Sequence, residues 1–263
     1  MSHLSNAGVL VLAEADAHGR SAAWRGAIAA RELGLPLRLL HVRSPAEGAL
    51  EPEPALQHLA AEIRSHLDMP VRLEFAQGDP HALTVQDARE AALVVLGTRR
   101  GNPLREFVLG TQAERLIRLC RVPVLVVKRP PLGAYRRVLV PVELGPAARP
   151  VIAAAARLSR DPRMEVLHAL NTGDELGMRA CELPEALVRR ERQRIADRAR
   201  AALQAFVAEA APQPHEALAS VAFSDAAAQV LARSQADVLV LPSVGLEGEG
   251  RREDAGWRLP QLS

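Results

Sequence analysis

The stretch best suited to chemistry is Leu96-Gly97-Thr98-Arg99-Arg100-Gly101-Asn102-Pro103, which continues to Val108-Leu109-Gly110-Thr111-Gln112-Ala113-Glu114. Glycines let backbone N–H groups approach an anion, and a helix opening at Gln112 adds free donors and a favourable dipole. Thr111 can cap that helix or give its hydroxyl to a phosphate. The chemistry these types and spacings suit is phosphate binding. Arg100 allows two opposite roles: its guanidinium can clamp phosphate oxygens through paired donors, or its bulk can close the loop. The same glycines also serve as plain turn and cap glycines, which any strand-to-helix loop can require.

Catalytic constellations are not found elsewhere. There is no Gly-x-Ser-x-Gly elbow, no Walker lysine and no local set of nucleophile, base and orienting acid, so the chain is read as a non-enzyme. His41 and His168 recur at matching places but lack companions at metal-ligand spacing, and are read as strand-end histidines satisfied by backbone. No metal is expected. Asp79 in Gly78-Asp79-Pro80 reads as an N-cap for a helix starting near His81. Cys120 reads as a small buried apolar residue.

The elements that must position these residues come in two copies. Val9-Leu10-Val11-Leu12-Ala13-Glu14 is echoed by Val138-Leu139-Val140-Pro141-Val142-Glu143, Leu37 to Val42 by Met164 to Ala169, and Ala92 to Leu96 by Asp237 to Leu241. Short apolar runs alternating with helical patterns read as parallel strands covered on both faces. Strands are expected near 9–14, 37–42, 71–76, 92–96 and 123–128, then near 137–142, 164–169, 217–223 and 237–241. Helices are expected over 21–33, 112–120, 147–158 and 184–209. The last carries an apolar stripe of Leu187, Ile195, Ala199, Leu203 and Phe206 with arginines over the rest. After Leu241 the second copy has only Pro242 to Ser263 left, so it is expected to lack its last helix and strand. The predicted architecture is α/β, two tandem open parallel-sheet domains of Rossmann-like type, over 1–131 and 132–263.

Composition narrows the partners. Hydrophobic residues make up 48% and charged residues 24%, enough to build a core. Aromatics are only 3% and the net charge is +2, so a base-stacking or strongly cationic nucleic-acid surface is not expected. Cys120 and Cys181 lie far apart, which argues against a disulfide framework. With no leader pattern and no membrane-length apolar run, a cytoplasmic location without membrane contact is expected.

Gly97, Gly110 and Thr111, with Gly78-Asp79-Pro80 and Leu40-His41-Val42, resemble the recurrent segments of the universal stress protein family, whose nucleotide motif is G-x2-G-x9-G-[S/T]. The resemblance covers the first half almost end to end and the second half to its fourth strand. It implies a five-stranded parallel sheet per complete domain and, in one branch of the family, ATP at the carboxyl ends of the strands. Carried onto this chain, the implied site is Ala13, Glu14, Val42, Gly97, Arg100, Gly101, Gly110, Thr111 and Gln112. The departures are specific. Arg100 stands where the motif's second glycine belongs, with Gly101 one place late. Glu14 and Glu143 replace the Asp that faces the ribose. Pro242-Ser243-Val244-Gly245 replaces the loop in the second half, so nucleotide is expected in the first half only. The resemblance also implies pairing through the strand Val124 to Lys128, as a homodimer or between the two halves. Two functions stay open: a stress-associated binder of ATP or a related adenine nucleotide, and a nucleotide-free interaction or scaffold protein of the same fold.

Overall fold

Runs such as Val9-Leu10-Val11-Leu12 have no polar face to offer water, so they fold only where both sides of a strand are covered. In the computed structural model all four of these residues are buried. The structure describes residues 8–43, 52–97, 112–120, 122–146, 148–158, 163–170, 184–210, 217–223, 229 and 238–239. The chain divides into two compact units that meet in sequence between Ala134 and Tyr135.

In the first unit the strands are β1 (Val9–Leu12), β2 (Leu37–Arg43), β3 (Val71–Gln77), β4 (Leu93–Gly97) and β5 (Val124–Val127). The helices described are α1 (Ala17–Leu33), α2 (Glu53–Leu67), α3 (Pro80–Ala88) and α4 (Gln112–Leu119). The sheet is parallel throughout, in the order β3-β2-β1-β4-β5. On one face Leu10, Leu12, Leu40, Val42, Val94 and Leu96 form a single cluster with Ala88, Ala91, Ala113 and Leu116. Thus α3 and α4 cover that face. Arg38 lies on β2 as a half-buried cation held by Glu74 of β3 at 2.8 Å and Asp87 of α3 at 3.0 Å. Its bonds to Glu74 hold the guanidinium pKa above its ordinary value.

α1 begins four residues earlier than the apolar pattern predicts. Asp16 caps it, its carboxylate accepting from the Gly19 N–H at 2.7 Å, and Gly34 ends it at φ 67°, a left-handed turn suited to glycine. Asp79 caps α3 as expected, accepting from the His81 N–H at 3.0 Å.

The second unit holds β6 (Arg137–Pro141), β7 (Arg163–Leu170), β8 (Ala217–Phe223) and β9 (Val238–Leu239), with α5 (Ala148–Arg157) and α6 (Glu185–Ala210). Its parallel sheet runs β8-β7-β6-β9, the permutation of the first four strands of unit one. Residues after Leu239 lie outside the described ones, so the expected loss of a final helix and strand falls there. One expectation needs correcting. Leu187 is 52% exposed, and the buried stripe of α6 is Val188, Ala196, Ala199 and Leu203. Leu187 sits one residue, about 100° of helix turn, away from Val188 and so faces outward.

Candidate functional site

In an open parallel sheet the chain leaves neighbouring strands in opposite directions where the order reverses, and a crevice opens at their carboxyl ends. Here that point lies between β1 and β4. Four of the residues expected at a nucleotide site are described around it. Ala13 and Glu14 follow β1, Gly97 ends β4, and Val42 lies near the end of β2. Gln112 opens α4, whose Ala113 and Leu116 pack into the same cluster as Leu12, Val42 and Leu96. Arg100, Gly101, Gly110 and Thr111 lie outside the described residues, as does Cys181.

The first turn of α1 sits between the two strand ends, and a glycine makes each contact. A Cβ on Gly19 would fall on the backbone of Glu14, 2.7 Å from its nitrogen and carbonyl carbon and closer still to its oxygen. A Cβ on Gly97 would stand 2.6 Å from the carbonyl oxygen of His18 and 2.9 Å from its carbon. Both collisions are with backbone, which cannot rotate aside. Gly97 therefore has a packing reason to be glycine, whatever else it does. The sequence reading missed Asp16, His18 and Gly19; the Asp-x-x-Gly spacing was the available signal, but it does not say what the glycine touches.

The end of β1 is pinned from the other side by β2. The Ala13 N–H donates to the Leu40 carbonyl at 2.8 Å, and the Ala13 carbonyl lies 2.8 Å from Nδ1 of His41. His41 is buried and meets Phe75 edge-on, ring centroids 6.0 Å apart. The second unit repeats the device: Val142 donates to Leu167 at 2.9 Å, and its carbonyl lies 3.0 Å from Nδ1 of His168. Since a carbonyl can only accept, each histidine carries its proton on Nδ1. The two histidines are thus strand-end locks, as their backbone reading requires. Truncating His41 to alanine leaves the Ala13 carbonyl buried without its donor, and a loss of about 2 kcal/mol is expected. Urea denaturation checks this; an unchanged midpoint would show the lock to be idle.

The local electrostatics disfavour an anion at the start of α1, where the carboxylate of Asp16 already accepts from the Gly19 N–H. Across the same end of the sheet, burial and the charge of Arg115 on α4 push the His81 pKa below its ordinary value. Cys120 closes α4 half-buried against the core, less covered than expected, and burial raises its thiol pKa. Among the described residues no cluster of His, Cys, Asp and Glu could hold a metal, and no helix is long and apolar enough to cross a membrane.

Comparison with known proteins agrees with this architecture. The model of the universal stress protein family matches residues 8–128. A universal stress protein of Mycolicibacterium smegmatis is 37% identical over 73 residues, 26% of this chain and 56% of that protein. The chain thus spans little more than half the length of this relative. Among solved structures, a universal stress protein from Archaeoglobus fulgidus superposes with a TM-score of 0.60 at 13% identity, over 89% of this chain and 84% of that one. A functionally unknown protein from Pseudomonas aeruginosa PAO1 gives 0.57 at 22% identity, over 91% and 83%. At such identities these structures speak for the fold alone. The likeness to the universal stress protein family is thus carried by residues 8–128, which lie within the first unit.

Proposed function

We propose that the first unit binds an adenine nucleotide, ATP or a close relative, in the crevice between β1 and β4. The observation that carries this reading is the locked geometry there: the ends of β1 and β4 are fixed against α1, and the glycine-containing connection to α4 departs from that point. In this reading Ala13, Glu14 and Val42 face the nucleoside, Glu14 taking the ribose. Gly97, Gly101 and Gly110 offer backbone donors to the phosphates, and Arg100, Thr111 and Gln112 add side-chain donors at the start of α4. Residues 1–131 form the binding domain, and 132–263 form a second domain of the same strand order without a nucleotide loop. The protein is then a cytoplasmic, stress-associated binder rather than an enzyme.

A second reading, a nucleotide-free scaffold of the same fold, is favoured by the packing of Gly97 against His18, which explains that glycine without any ligand. Arg100 separates the two. If its guanidinium holds phosphate, Arg100→Ala weakens ATP affinity by about 1.5–3 kcal/mol, and added salt shrinks the difference. If it blocks the loop, the wild type shows no saturable binding and Arg100→Gly, which restores the family spacing, creates it. Calorimetric titration of the wild type and both variants decides. Should none of the three bind, the nucleotide reading fails and the scaffold stands.

A further inference from the structure

β3 and β8 hold the same place at the edge of their sheets. Among the described residues each is paired on one side only, β3 to β2 and β8 to β7. The registers match the two edges residue by residue. Val71 pairs with Leu37 and Ala217 with Met164, and Leu37 and Met164 pair in turn with Val9 and Val138. Arg72 and Glu74 of β3 therefore stand where Leu218 and Ser220 stand in β8.

An edge strand presents a row of unpaired N–H and C=O groups, and charged side chains on it guard against pairing with another chain. β3 has that guard: Arg72 is exposed, and Glu74 is held by Arg38. β8, Ala-Leu-Ala-Ser-Val-Ala-Phe, has neither charge nor proline. In place of Arg72 it has Leu218, 62% exposed, and none of residues 217–222 is buried. The fold accepts charges at these places, since β3 holds them. Their loss from β8 is not a requirement of the sheet.

We propose that β8 is a dimerisation edge, pairing antiparallel with β8 of a second copy of this chain about a two-fold axis at Ser220. Residue 218 then faces 222, and residue 219 faces 221. Leu218 meets Ala222 and Val221 meets Ala219, a large side chain against a small one each time, while the two Ser220 hydroxyls meet at the axis. No charge opposes another. The same pairing of β3 about Glu74 would set one carboxylate against its copy. The axis is normal to the sheet, so the α6 helices packed on β7 and β8 run antiparallel across it. The arginine-rich first half of each lies beside residues 201–210 of the other, where Glu209 is the one charge. A strand of another protein would need only an apolar edge; the large-to-small match about Ser220 is met by β8 itself. Such a self-complementary contact also closes the edge and leaves no place for a third copy.

The test is sedimentation equilibrium of the full chain, with circular dichroism as the check on folding. The wild type is expected to dimerise. Ser220→Glu and Ser220→Lys each bring like charges together at the axis and should weaken dimerisation about tenfold. An equal mixture of the two variants should restore it, because the charges that meet are then opposite. Leu218→Arg, which gives β8 the residue type that β3 carries at this place, should weaken dimerisation about threefold through lost apolar contact. It tests the same edge even if a Ser220 variant fails to fold. A monomeric wild type, assemblies larger than a dimer, or a mixture that does not recover would overturn the proposal. So would a dimer that ignores all three substitutions, as one joined through β5 would.

Discussion

Gly19→Ala is expected to destabilise the protein by about 3 kcal/mol, against the sign that helix propensity alone gives. In an exposed helix interior, alanine in place of glycine gains about 1 kcal/mol. Here the added methyl meets the backbone of Glu14, whose nitrogen and carbonyl carbon would lie 2.7 Å away. Those atoms belong to a peptide fixed on its other side by the Ala13 bonds to Leu40 and His41. Neither α1 nor the end of β1 can move without breaking a second contact. Urea unfolding should show a lower midpoint with the slope unchanged. A midpoint at or above that of the wild type would mean that α1 does not press on β1 as described. Because the strain falls on Glu14, any nucleotide affinity of the folded variant should fall with it.

Leu116→Ala is expected to be of similar size, about 3 kcal/mol, with a more local effect. Leu116 is fully buried among Leu12, Leu96 and their neighbours, and its truncation leaves a cavity as well as losing apolar contact. α4 has only eight residues, too few to be helical by itself, so its order depends on that anchor. Hydrogen exchange should therefore show α4 losing protection well before β1 and β4. Uniform loss across the unit would show instead that α4 unfolds only with the whole domain. The substitution lies one turn past Gln112, so it also asks whether the β4–α4 connection needs a docked helix to bind anything.

Much of the fold was legible because two-sided burial leaves a plain mark. Apolar runs such as Val9 to Leu12 and Val138 to Pro141 can exist only inside a covered sheet, and they are strands. The repeat was legible for the same reason, down to the paired histidines, since equal positions in equal sheets need equal partners. Leu187 and the start of α1 were misread at the level of local pattern. Around Leu187 the choice between adjacent leucine and valine is one of helix phase, set by what lies across from α6. At α1 the early residues His18 and Gly19 carry no apolar signal, because that turn meets backbone rather than side chains.

The sequence by itself thus determined the α/β class, the parallel strands and the two copies. These follow from periodicity and from residue types whose chemistry is local. Only the tertiary structure decided that β1 and β4 are neighbours in the order 3-2-1-4-5, and that His41 locks Ala13. It also decided that Gly19 and Gly97 are glycines because α1 lies against both strand ends. Each of these is a contact between residues far apart in the chain. A close approach of two backbones leaves in the sequence nothing more than a missing side chain, and one glycine does not name its neighbour.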